Sequence, residues 1–196
     1  MSQHPLLELS DRLRKLKSEG LVDCVEILQR ELDAQDSLEE KLGVYAMLAV
    51  ELQSQERFDE AERVIRKRIS LAPEIPDAWI ALALHFLYHT KEPEKALSAI
   101  DTAVEKSLPR KEFFRQAHLE RIRIALALKS YSLIEESLIQ LVNYTPSIGA
   151  VDSRLETEFL DMIPSGASDP QLIESYRAKA KAEAERVPVT PDVLRG

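Results

Sequence analysis

Glycine, cysteine and tryptophan are scarce in this 196-residue chain, which holds five, one and one of them. With so little glycine there is no glycine-rich loop opening a helix, so the cradling of a mononucleotide or dinucleotide phosphate has no place to occur. A single cysteine, Cys24, cannot form an intramolecular disulfide, which agrees with a reducing compartment; it is expected to pack as a small hydrophobe. No apolar run approaches the ~18 residues of a membrane span, and residues 1 to 13 show no basic stretch followed by an apolar one. A soluble, cytoplasmic chain without membrane contact is the expectation. Positive charge is not in excess either: the formal net charge is -8. Nucleic acid, which demands concentrated Lys and Arg, is therefore not the expected partner.

Catalytic signatures are missing as well. There is no nucleophile elbow, no paired Cys-x2-Cys and no His-Glu-x2-His. His85 and His89 stand four apart, the spacing of two metal ligands on one helix face, but no Cys or third His lies nearby in sequence and Glu92 and Glu94 are ordinary surface residues. They are expected to be structural or surface histidines. No catalytic residue, cofactor or metal is expected, and an enzyme with a site assembled between helices stays as a minor alternative.

Ala, Leu, Glu, Lys and Arg dominate instead, the residues that lose least on entering a helix. They are arranged in repeats. Tyr45-x2-Leu48-Ala49-x2-Leu52, then Ala61-x3-Ile65 and Pro73, recurs as Trp79-x2-Leu82-Ala83-x2-Phe86, then Ala96-x3-Ile100 and Pro109. The first halves are offset by 34 residues and the second by 35, which places one added residue in the turn at His89 to Pro93. Large apolar residues three and four apart make one stripe facing a partner helix. Ala49, Ala61, Ala83 and Ala96 lack bulk where two backbones approach closely, and Trp79 is expected to be largely buried. Pro73 and Pro109 end the second helix of each pair.

This pattern resembles the tetratricopeptide repeat family, with its Trp-x2-Leu-Gly-x2-Tyr, Ala, large apolar residue and Pro. The likeness covers roughly residues 42 to 110, with alanine where the family most often has glycine. Downstream, Leu119-x2-Ile122-x3-Leu126, then Tyr131, Ile134-x3-Leu138 and Pro146, make a third unit, in which either Ile134 or Ser137 takes the small-residue place. Upstream, Leu21 to Leu28 echoes Phe58 to Ile65, with Cys24 matching Ala61, and Pro5 to Gln35 forms a divergent first unit. The expected fold is all-α: a helix-turn-helix solenoid of three to four pairs, ten helices and no sheet. A capping helix over 152 to 163, with Leu155, Phe159, Leu160 and Ile163, closes a repeat domain of residues 1–163. A loop follows at 164–168, then a polar helix at 169–186 with Pro170 at its first position, then a tail at 187–196 expected to be disordered.

The resemblance implies a concave surface, lined by the first helix of each pair, that receives a partner's segment. Residues off the packing stripe there include Met47, Val50, Ile80, Leu84, Tyr88, Arg121, Ile124 and Leu128. Family members that grip the acidic end of heat-shock chaperones use Lys, Arg and Asn on this surface, where this chain has Ala46 and Val50, so that ligand is not expected. The mostly apolar set suits an amphipathic helix or an apolar extended stretch. The alternative is that the chain's own terminal helices or a second copy covers these side chains. Two basic clusters, Arg63, Arg66, Lys67 and Arg68, and Arg110, Lys111, Arg115, Arg121 and Arg123, read as solvated faces, with Arg121 the one candidate to meet an acidic ligand. The expected function is non-catalytic protein binding; a dedicated chaperone or neutralising partner of a single cognate protein is the main alternative.

Overall fold

A computed structural model describes residues 5–20, 23–108, 113–144, 159–166 and 168–186. Among these residues the chain is all helical, with nine α-helices and no strand. They are α1 (Pro5–Ser18), α2 (Val25–Ala34), α3 (Leu38–Ser54), α4 (Phe58–Leu71), α5 (Pro76–His85), α6 (Pro93–Ser107), α7 (Phe114–Leu128), α8 (Tyr131–Asn143) and α9 (Pro170–Arg186). A π-turn, Phe86–Thr90, extends α5, and a 3-10 turn covers Phe159–Met162. The expected helix over 152–163 lies outside the described residues apart from that turn, as do Pro109, Arg110, Lys111, Pro146, Leu155 and the tail at 187–196.

Local chemistry sets many of the boundaries. Ser37 caps α3 by accepting the Glu40 N–H at 3.1 Å, the first half of a Ser-x-x-Glu start. Pro76, Pro93 and Pro170 open α5, α6 and α9, where their missing N–H has no intrahelical partner to lose. Three helix pairs turn through a left-handed residue that is not glycine: Glu56, Lys91 and Lys129 have φ of 59°, 59° and 56°.

Comparison of the first two turns locates the added residue. The Arg57 N–H bonds the Leu52 carbonyl at 2.9 Å, and the Glu92 N–H bonds the Phe86 carbonyl at 2.8 Å. Leu52 and Phe86 are 34 residues apart, while Arg57 and Glu92 are 35 apart. The insertion is thus inside the helix, absorbed as the π-turn at Phe86–Thr90, and not in the loop after it. In the third turn the Ser130 N–H bonds the Ala125 carbonyl at 2.9 Å. Ile134 follows Ser130 by four residues, as Ala61 follows Arg57 and Ala96 follows Glu92, so Ile134 takes the alanine place; all three are fully buried.

The chain divides into two compact units, Met1–Lys106 and Ser107–Gly196. In the first, α3 packs on α2 and α4, and α4 on α5. Leu9 and Leu13 of α1, Cys24, Val25 and Leu28, Val44, Leu48 and Leu52 of α3, and Ala61 of α4 form one buried cluster. Helix α1 lies on α3 at Gly43, where an added Cβ would stand 2.4 Å from Leu6 Cδ1. Lys17 of α1 reaches the buried Glu51 carboxylate at 2.5 Å, whose other oxygen accepts from the Cys24 N–H and Gln55. In the second unit α8 packs against α7 and α9, around Leu119, Ile122, Ile134, Leu138, Leu141, Leu160 and Tyr176. The polar α9 therefore has a docked face, and its Lys179 ammonium donates to the last carbonyls of α8, Leu141 at 3.2 Å and Val142 at 2.6 Å.

Trp79 is partly buried, and its indole N–H donates to the Pro73 carbonyl at 2.9 Å. The ring lies over the turn that precedes α5, while its neighbours Ala78 and Ile80 take the interior.

Candidate docking cleft

Helix α3 places Ala46, Ala49, Val50 and Gln53 on one face, and α5 with its π-turn does the same with Asp77, Ala81, Leu84 and Tyr88. Three of these eight are alanine, too short to fill the space between two helices. A cleft of about 400 Å³ results, completed by Ile65 and Arg68 of α4 and by His85 and His89. Val50 and Tyr88 stand at its rim, 65% and 48% exposed.

The walls also carry polar groups. Arg68 pairs with Asp77 at 2.5 Å, so the two charges offset each other, yet the Arg68 Nε–H is buried without a partner. Gln53 Nε2 lies 3.1 Å from His85 Nδ1. With the amide nitrogen donating, His85 carries its proton on Nε2, and that nitrogen is buried without a partner too. Burial, and then the nearby His89, hold the His85 imidazole below its usual range; burial, and then Lys91, do the same for His89. Phe58 borders both rings, at 6.3 Å from His85 and 5.2 Å from His89.

The residues proposed from sequence do not all come together. Val50, Leu84 and Tyr88 line the cleft together. Met47 is half-buried against the cluster formed by α1, α2 and α3, so it belongs to the packing of the N-terminal helices. Ile80 and Ile124 are 1% and 0% exposed and lie in the core. Leu128 is half-buried at the end of α7. Arg121 does not point to an open surface: its guanidinium bonds Glu136 and Ser137 of α8, both at 3.2 Å. Ile124, Leu128 and Arg121 belong to the second unit and the other five to the first.

Several described members of the basic clusters are likewise engaged. Arg66 bonds Glu62 at 2.7 Å, Arg123 bonds Glu120 at 2.5 Å, and Arg115 lies over the Tyr144 ring at 6.0 Å. A second hollow of about 370 Å³ at Glu56 to Arg63 is walled by charged groups, among which Arg57 and Glu60 form a two-pronged pair at 2.8 and 2.9 Å. Among the described residues no group of three or more His, Cys, Asp or Glu could hold a metal ion. No described helix is long and apolar enough to cross a membrane.

Fold and cleft together define a chain that is all helical among the described residues, built of packed helix pairs with a partly apolar hollow in its first unit. No known family model, no characterised protein and no solved structure matches this chain.

Proposed function

We propose that the chain is a non-catalytic, tetratricopeptide-like interaction module that receives a partner's segment in the cleft between α3 and α5. The observation that carries this reading is the cleft's rim. Val50 and Tyr88 expose large apolar surface beside a hollow kept open by Ala46, Ala49 and Ala81, and exposed apolar surface around a concavity is the feature partners bury.

The test compares Val50→Glu with Leu7→Glu, a substitution at a 61% exposed leucine on α1. Both positions are solvent-facing, so circular dichroism and melting temperature stay unchanged. Capture from native lysate loses partners with Val50→Glu and keeps them with Leu7→Glu, since a carboxylate against an apolar ligand removes ~2 kcal/mol or more of binding. Equal recovery by both variants overturns the reading. Many captured proteins would mark an adapter, and one stoichiometric client would mark a dedicated chaperone or neutralising partner.

A further inference from the structure

His85 and His89 stand side by side in the cleft wall, the first closing α5 and the second inside the π-turn. In a regular helix a residue four positions on is turned about 40° from the first. The wider π-turn reduces that offset, and the two imidazole rings lie 5.6 Å apart at 35°. Phe58 of α4 borders the pair, 5.2 Å from His89. His85 is fully buried, whereas His89 keeps part of its surface exposed, so a proton from solvent reaches His89 first.

The charged groups around the pair are already engaged with one another. Asp59 and Glu62 of α4, and Glu92 just before α6, favour a charged His85, but Glu62 pairs with Arg66 at 2.7 Å and Glu92 with Lys95 at 2.5 Å. Lys91, which follows the π-turn, opposes charge on His89. Arg68 and Asp77, on the α4 and α5 walls of the cleft, pair with each other. From α3 comes the neutral Gln53, whose amide lies 3.1 Å from His85 Nδ1. Among the described residues no carboxylate is hydrogen-bonded to either ring. Both rings are held below the usual histidine range, His85 by burial and then by His89, His89 by burial and then by Lys91. In neutral solution they therefore continue the uncharged wall of the cleft.

A partner laid over Leu84 and Tyr88 also covers His89, the next residue along the same wall. Covering removes the water that would solvate an imidazolium there, so the complex disfavours the charged ring more than the open cleft does. By linkage, binding is intact above the midpoint of that ring and weakens below it, by up to about tenfold per pH unit. We propose that His89, backed by His85, is an acid-release gate of the cleft, which lets its partner go when the ring takes up a proton. This rests on the docking reading above and adds its regulation.

The experiment titrates the full chain with N-phenyl-1-naphthylamine, an uncharged apolar dye that brightens on leaving water and does not itself ionise over the range used. At pH 7.5 the dye is expected to bind wild type, His89→Gln and His118→Phe alike, the last removing a buried histidine of α7, and to bind Val50→Glu about tenfold more weakly. Between pH 7.5 and pH 5, with circular dichroism confirming the fold at each step, wild type and His118→Phe lose about threefold or more in affinity, while His89→Gln changes less than about 1.5-fold. Saturating dye also lowers the midpoint at which His89 titrates by proton NMR, its resonance being the one missing from His89→Gln; a histidine with a purely structural role would not move. Wild-type affinity that is flat with pH, while Val50→Glu still weakens it, refutes the gate and leaves the docking site. An acid loss that persists in His89→Gln overturns the assignment to His89. Binding that ignores Val50→Glu at pH 7.5, or no binding at all, overturns the docking reading itself.

Discussion

His118 shows how far a single side chain can be moved by its surroundings. It is 3% exposed on α7, its ring packed at 4.5 Å from Phe114, and burial, with the Arg121 charge second, pushes its pKa down to about 4 from 6.5. A group whose folded pKa is depressed in this way is neutral in the folded chain and takes up a proton on unfolding. Its contribution is intact above pH 6.5 and is lost as pH falls from 6.5 toward 4, by up to about 3 kcal/mol. Urea unfolding at pH 7 and pH 4.5 is expected to show that loss in wild type and a smaller one in His118→Phe. Equal losses would mean that other groups carry the acid sensitivity. Trp79, the sole tryptophan, gives a second residue-scale measurement. Being half-buried with its N–H bonded to Pro73, it should emit between the wavelengths of buried and free indole, and Trp79→Ala should cost about 2 kcal/mol, less than the 3–5 typical of a fully buried ring.

At the scale of helices, the sequence pattern and the structure agree on much and differ for identifiable reasons. The alanine spacing placed Ala61 and Ala96 at fully buried points, and Ala61 shares a cluster with Leu48 and Leu52 of the helix it crosses. Ala61→Leu should therefore overpack α3 against α4 and lower stability by ~1–3 kcal/mol in thermal melts. The set Val50, Leu84 and Tyr88 was readable because its spacing keeps one face of α3 and α5 off the packing stripe. Ile80 and Ile124 were misplaced because helical spacing fixes the angle between side chains and not how many neighbours surround the helix. On α5, six of ten residues are buried, so being off one stripe still means being in the core. The π-turn was half legible: the change from 34 to 35 residues announced an insertion but not whether loop or helix absorbed it. The partners of Arg121 and the docked face of α9 were not legible, since both depend on which helix comes to lie alongside. If packing does not require the π-turn, deleting His89 restores regular helix with stability changed by less than about 1 kcal/mol, because a π-turn gives no helical bond that an α-turn lacks. A collapse of the melting temperature would show that the insertion is required by packing.

Across the whole molecule, charge and cleft pull in different directions. The chain carries a net charge of -8, yet the cleft's one ion pair, Arg68 with Asp77, is self-neutralising and 13% and 34% exposed at its two side chains. Binding through that cleft should change less than about threefold between 50 and 500 mM salt, because neither partner gains a screened charge pair there. A steep salt dependence would direct attention to the charged outer faces.

The left-handed residues Glu56, Lys91 and Lys129 have a consequence of another kind. Each places an L side chain where the backbone is disfavoured by about 1–2 kcal/mol, and glycine, even after its own entropic penalty of roughly 0.5–1 kcal/mol, would suit the geometry better. All three side chains are solvent-exposed, so nothing in the core depends on them. The chain thus has unused heat tolerance at its bends, a reserve that evolution has left untouched and that protein engineers could draw on without altering a single interior contact.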